Sequence, residues 1–187
     1  MSNIYITSNI TLKKQHISSF LKSLNKELEI KTFNIGDDYV PNQLINSGDT
    51  FLKNKLNNIE LEDCMYILCV YNLLEVKDCV MKDYFIVIFK DIENGKTYEV
   101  KGSELEIYYC ILDEYPKFIN IIDDMFNNFK KANKKYIYDG CDVKLSSLIH
   151  SYYPNIPENN WSKTIFNKDI TTRVNKLLNK ISKNIII

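Results

Sequence analysis

The chain is expected to fold as a mixed α/β domain, a mixed and elongated β-sheet flanked by helices. Three observations predict it. The opening alternates a β-type run, a helical repeat and a second β-type run; the middle holds a nearly all-apolar strand and then a hairpin; the last third is helical. With 187 residues, 45% hydrophobic and 26% charged, the chain can bury a real core within one domain spanning residues 1–187, or one domain with two lobes.

"NIYIT" (residues 3–7) is the first strand, followed by a helical pattern from Leu12 to about Leu28. That pattern puts Ile17, Phe20, Leu21 and Leu24 on one face and leaves His16 at its flank, as a boundary histidine rather than a ligand. "EIKTFNI" is a second strand, and "GDDYVPNQLINSGD" is a loop marked by Gly, Pro, Asn and Asp. Asp49 or Ser47 is placed to cap a helix through "TFLKNKLNNI". "CMYILCVY" has the composition of a strand covered on both faces. "DYFIVIFKD" and "KTYEVKG" then flank "IENG", where Asn94 and Gly95 are expected to supply the positive φ angles of a tight turn. "EYPKFINIIDDMFNNFKKA" is an amphipathic helix with Phe118, Ile121, Ile122, Met125, Phe126 and Phe129 inward, an aromatic stripe that belongs to a core. Two more helices are expected, around Val143 to His150 and from about Ile170 to Ser182.

The balance of 24 basic and 24 acidic residues leaves no net field to draw nucleic acid or a membrane surface. Cys64, Cys69, Cys79, Cys110 and Cys141 form an odd, scattered set without a C-x-x-C pair, so reduced thiols in an intracellular, cytoplasmic protein are expected. His16 and His150 lack any metal-ligand spacing. The opening "MSNIYITSNITLKK" lacks the apolar run of a signal peptide, and no stretch is long enough to span a bilayer.

Three stretches have the residue types for chemistry. In "ITSNITLKK" a strand ends in Ser8-Asn9 and a helix begins with Lys13 and Lys14, which suits a phosphate and is equally the look of any β-α turn with a polar cap. "VPNQLINSGDTFLKNKL" is a polar loop feeding a helix, equally suited to lining a cleft or to plain capping. "FNKDITTRVNKLLNK" holds Arg173, the sole arginine of the chain, just after Thr171 and Thr172. Its planar fork suits bidentate contact with phosphate, and suits a structural ion pair with a carboxylate equally well.

Taken in order, these stretches resemble the inosine triphosphate pyrophosphatase superfamily, whose members act on non-canonical purine nucleotides. The family's first turn, S-N-N-P-x-K, is similar to Ser8-Asn9-Ile10-Thr11-Leu12-Lys13, and its T-F-x-E-N-A to Thr50-Phe51-Leu52-Lys53-Asn54-Lys55. The V-P-x-Q step of its inosine/xanthosine triphosphatase branch matches Val40-Pro41-Asn42-Gln43. Its D-D-S-G-L-x-V strand end falls on Val70-Tyr71-Asn72-Leu73-Leu74-Glu75-Val76. "YEVKGSELEI" resembles the F-x-G strand, "YDGCD" stands roughly at the G-Y-D-P turn, and "ITTRVNKLL" aligns with I-S-H-R-x-K-A-L. Collinearity over nearly the whole chain carries the resemblance, since each motif alone is degenerate.

The resemblance implies a two-lobed sheet-and-helix fold with a nucleotide in the cleft, and by analogy a homodimer. It implies that Ser8, Asn9, Lys13, Thr50, Asn54, Thr171, Thr172 and Arg173 contact the nucleotide, and that acids hold Mg²⁺ for release of pyrophosphate and a nucleoside monophosphate. Those acid positions fall on Lys53, Val70 and Tyr71, and the S-H-R histidine on Thr172. Neither valine nor a neutral phenol holds Mg²⁺. Asp49, Glu75, Asp37 and Asp38 stand nearby in sequence as substitutes. The expectation is a fold that binds a purine nucleotide with its hydrolysis weakened or lost, Mg²⁺ being needed only if catalysis survives. The alternative is a non-catalytic relative that binds a protein partner.

Overall fold

A computed structural model describes residues 3–8, 13–35, 43–46, 48–77, 80–107, 113–132 and 140–185. The chain runs through β1 (Asn3–Ser8), α1 (Lys13–Leu24), β2 (Glu29–Thr32), β3 (Gln43–Leu44) and α2 (Gly48–Asn57) into three long strands, β4 (Tyr66–Lys77), β5 (Val80–Asp91) and β6 (Lys96–Ile107). It then forms α3 (Phe118–Ala132), β7 (Gly140–Cys141), α4 (Leu145–Tyr152), α5 (Trp161–Phe166) and α6 (Ile170–Ile181). The expected class is found: a mixed open sheet in the order β2-β1-β4-β5-β6, with six α-helices among the described residues. β1 is parallel to β2 and β4, whereas β4, β5 and β6 form an antiparallel meander. β3 and β7 make a small antiparallel pair of their own.

Strand alternation sorts the apolar residues into cores on the two faces of the sheet. On one face Leu68 and Val70 of β4 meet Val87 and Phe89 of β5, beneath Ile17 and Leu21 of α1 and Val174, Leu177 and Leu178 of α6. Further along that face Leu74, Met81, Leu105 and Ile107 pack against Phe118, Ile121 and Met125 of α3, Leu145 and Ile149 of α4, and Trp161 of α5. The opposite face carries Ile67, Cys69, Tyr71, Leu73, Ile86 and Ile88, covered by Phe51, Leu52 and Leu56 of α2. β4 is covered on both sides along most of its length, which explains its nearly unbroken apolar run.

A bulge keeps this arrangement in phase. Asp83 pairs with Leu105 and Phe85 with Gly102, so two steps along β5 oppose three along β6. The extra residue reverses the parity of β6. Tyr98 and Val100 face the first core before it, and Leu105 and Ile107 face the second core after it. Gly102 sits at the bulge with φ +148°, a backbone conformation that side chains disfavour, directly under Leu177 of α6.

Several expected boundaries move. β4 continues past Tyr71 to Lys77 and β6 past Gly102 to Ile107, because Asn72 bonds across to β5 and the bulge absorbs Gly102. α1 ends at Leu24, which is 44% exposed; the chain turns back there and Leu28 fills the core instead. The second strand stops at Thr32, although Ile35 is still buried. In the hairpin only Gly95 has positive φ; Asn94 instead gives its backbone and side-chain N–H groups to Asp91, at 2.9 and 2.8 Å. Asp49 lies inside the first turn of α2 rather than capping it, and Ser47 is outside the described residues. α5, six residues long, is too short to leave a periodic signal in the sequence. Of the expected inward residues of α3, Phe118, Ile121 and Met125 are buried and Ile122 and Phe126 half-buried, while the Phe129 side chain is outside the described set.

A Cβ on residue 102 would lie 3.5 Å from Leu177, an ordinary contact, so substitution there costs conformation rather than space. Gly102→Ala is expected to destabilise the chain by about 1–3 kcal/mol in urea unfolding. An unchanged midpoint would show that the bulge relaxes freely.

Candidate functional site

The sheet has one point where successive connections leave in opposite directions. From β1 the chain passes through α1 to β2 on one side, and β4 lies on the other side of β1. In open α/β sheets such a switch point leaves a crevice beyond the carboxyl ends of the parallel strands. β1 ends at Ser8, whose register partner on β4 is Val70, and β4 runs on past it. The sequence-matched first turn and the sequence-matched strand end are therefore neighbours. Val70 itself is core, packed with Leu68 and Val87. Tyr71 points to the opposite face, where its hydroxyl lies 3.4 Å from that of Thr7 in a buried pair. Burial pushes the Tyr71 phenol well above its ordinary pKa, so it stays protonated at neutral pH. Asn9, Asp37, Asp38 and Val40 to Asn42 lie outside the described residues, as does the Lys13 side chain.

Arg173 is 5% exposed and stands on the apolar stripe of α6 with Ile170, Val174, Leu177, Leu178 and Ile181. Its Nη2 donates to Asp83 Oδ1 at 2.6 Å and to the Asp83 carbonyl at 3.0 Å. The other Asp83 oxygen accepts from Asn72 Nδ2 at 2.7 Å, and the guanidinium carbon lies 4.6 Å from the centre of the Phe85 ring. A charge this buried survives because the two ions pair directly, the second Asp83 oxygen has its own donor and the guanidinium lies against the Phe85 ring. Of the two roles open to Arg173 in the sequence, the ion pair with a carboxylate is the one whose geometry is visible. Ahead of it, Asp169 caps α6 by accepting from the Thr172 amide at 2.9 Å, while Thr171 and Thr172 stay exposed.

A second charged group lies on the α2 face. Lys53 bonds Glu99 of β6 at 2.7 Å, and Lys101 reaches Asp49 at 2.5 Å and Glu99 at 3.4 Å. Burial opposes ionisation of Asp49, but its bonds to Lys101 and the Thr50 amide and the fields of Lys101 and Lys53 outweigh that, lowering its pKa. Tyr84 beside it is pushed up to about 12, by burial first and by the Asp49 charge next. Thr50 and Asn54 are exposed on the same helix. Glu75 is exposed and faces Lys82 across the β4–β5 ladder.

The residues singled out by sequence thus divide between the two faces. Val70 and Arg173 share the α1/α6 face, with Ser8 in phase with Ile4 and Ile6; Asp49, Lys53 and Tyr71 belong to the α2 face. Among the described residues, no group of three or more His, Cys, Asp or Glu is placed to hold a metal ion. Asp83, Asn72 and Phe85 are the residues that sequence reasoning missed. The signal was an arginine at an apolar helix position, which demands a buried counter-charge, and an aspartate in phase with Phe85, Val87 and Phe89.

Because the Asp49 carboxyl is held below 3.8, its contribution is full above that pH and is lost as pH falls through the lowered value. Lys101→Met is expected to cost about 0.2–1 kcal/mol at neutral pH, less in high salt, and nothing once Asp49 is protonated. Urea midpoints of the two proteins across acid pH test this, and a gap that persists in strong acid contradicts it.

Among the described residues no helix is long and apolar enough to cross a membrane. No protein-family model matches the chain. Over 128 residues, 64% of its length, the chain is 29% identical to the uncharacterized ATP-binding protein MJ1301 of Methanocaldococcus jannaschii, of whose length the match spans 30%. Among solved structures, protein VC0702 from Vibrio cholerae superposes with a TM-score of 0.62 over 95% of this chain and 91% of its own, at 13% identity. The hypothetical protein CT253 from Chlamydia trachomatis, at a TM-score of 0.24, 10% identity and 57% and 70% coverage of the two chains, carries no argument. The chain is similar in sequence, distantly, to an ATP-binding protein, and in fold to a mixed α/β protein along nearly its whole length.

Proposed function

We propose that the chain is a divergent relative of the inosine triphosphate pyrophosphatases that binds a purine nucleoside triphosphate, with hydrolysis weak or lost. The observation that carries this is the register of β1 on β4, with Ser8 beside Val70 at the switch point of the sheet. The collinear motifs and the ATP-binding description of the M. jannaschii protein support a nucleotide as the ligand. The match covers under a third of that protein, so its own activity is not carried over whole.

In this proposal the turn after Ser8, with Asn9 and Lys13, takes the phosphates. α1 has no acid in its first turn, so its N-terminal dipole stays available to an anion. Thr50 and Asn54 on α2, and Thr171 and Thr172 at the head of α6, present exposed polar groups as further contacts. Arg173 acts behind them, holding the head of α6 in place through Asp83. Hydrolysis lacks its acids: Lys53 is a cation bound to Glu99, Val70 is hydrocarbon and Tyr71 is a buried phenol. Asp49 is engaged by Lys101 and Glu75 stands on an exposed strand face, so neither is arranged to replace them.

Thermal shift with ITP, XTP, dITP and ATP, alongside pyrophosphate release with Mg²⁺ or Mn²⁺, tests the proposal. The expected result is a raised Tm without release above the blank, and at least about tenfold weaker binding for Lys13→Ala. No shift with any nucleotide would remove the proposal and leave the protein-partner alternative. Turnover that Asp49→Asn or Glu75→Gln abolishes would show that catalysis is retained on relocated acids.

A further inference from the structure

One face of the sheet carries two apolar cores in series, and the two adjoining rows where they meet each hold one polar side chain, Asn72 opposite Phe85 and Asp83 opposite Leu74. Along β4 that face reads Leu68 and Val70, then Asn72, then Leu74 and Val76. Along β5 it reads Phe89, Val87 and Phe85, then Asp83, then Met81. Along β6 the partners are Gly102 for Phe85 and Leu105 for Asp83, so the bulge falls between these two rows. Hydrocarbon contacts are non-directional, and an apolar helix over such a seam has no fixed stopping place. The seam is instead where Arg173 descends from α6 onto Asp83, with Asn72 holding the second oxygen and Phe85 beneath the guanidinium.

The chain also crosses from one core to the other at this place. Trp161 of α5 belongs to the second core and Val174 of α6 to the first. Asn160, just before α5, donates from Nδ2 to Asp169 Oδ1 at 2.9 Å and accepts the Ile170 amide at 3.2 Å, tying the head of α6 to the second core. α6 is thereby fixed at its head to one core and along its length to the other, with the ion pair between.

We infer that Asp83–Arg173, supported by Asn72 and Phe85, is a latch that couples the two cores, so that they open as one cooperative unit while it is closed. Buried ionic pairs are weak as net stabilisers but specific in geometry, which suits a part that sets registry between two packed bodies. Once the latch is broken, the α3–α4–α5 side opens independently of the α1–α6 side, the joins left among the described residues being the strands themselves and short hydrogen bonds from Asn160 and Ser162 to the segment Lys168–Ile170. The inference does not depend on the nucleotide proposal.

Native-state amide hydrogen exchange on the full chain reads the coupling directly. The reporters are the amides of Ile17 and Leu21 in α1 and of Ile149 in α4, all buried and away from Arg173. In the parent protein both sets are expected to exchange through one opening, with equal protection and equal urea dependence. In Arg173→Met the α1 amides are expected to quicken only by the loss of global stability that urea unfolding reads, and the α4 amide at least about 100-fold beyond that, the excess narrowing to about tenfold in Arg173→Lys. Should Arg173→Met fail to fold, Arg173→Lys carries the test alone. Equal acceleration of both sets, or unequal protection already in the parent protein, overturns the latch.

Discussion

Removing a guanidinium and a carboxylate from water costs several kcal/mol per ion, so each must find the other and every leftover donor or acceptor must be met. Asp83 and Arg173 satisfy that demand across 90 residues of sequence. Meeting it constrains much else. β5 must present Asp83 in phase with Phe85, β4 must present Asn72 within reach of it, and β6 must carry its bulge at Gly102 so that its apolar residues turn from the first core to the second. α6 must begin at the Asp169 cap for its fourth residue to arrive over the seam.

The two faces of the sheet are handled differently. On the α6 face the buried charges among the described residues are Asp83 and Arg173, paired with each other. On the α2 face Asp49, Lys53, Glu99 and Lys101 alternate in sign at half-exposed positions, where water and salt share the work. Lys53 illustrates the division: its place in the α2 motif suggests a metal-binding acid by resemblance, while its actual contact is a carboxylate on β6.

Much of the fold was legible because strand and helix periods are local. The α1 stripe, the apolar run of β4 and the hairpin before Lys96 all follow from spacing within a few residues. What was not legible depended on distant partners. The expected strands stop at Tyr71 and at Gly102, and their continuation shows only through the Asn72–Asp83 bond and the β6 bulge. Leu24 fits the helical face by spacing, yet the turn at Asn25 hands its place to Leu28. Arg173 was legible as unusual, because an arginine among apolar residues needs a reason, but its partner lies on β5, far beyond any local signal.

A double-mutant cycle in urea unfolding, with Asp83→Leu, Arg173→Met and both together, tests most directly whether the pair organises this face of the sheet. Each single change strands one buried charge and is predicted to cost about 3–5 kcal/mol, whereas the double change removes both ions and is predicted to cost far less than the sum. Strictly additive losses would show that Asp83 and Arg173 act separately, and would contradict the account.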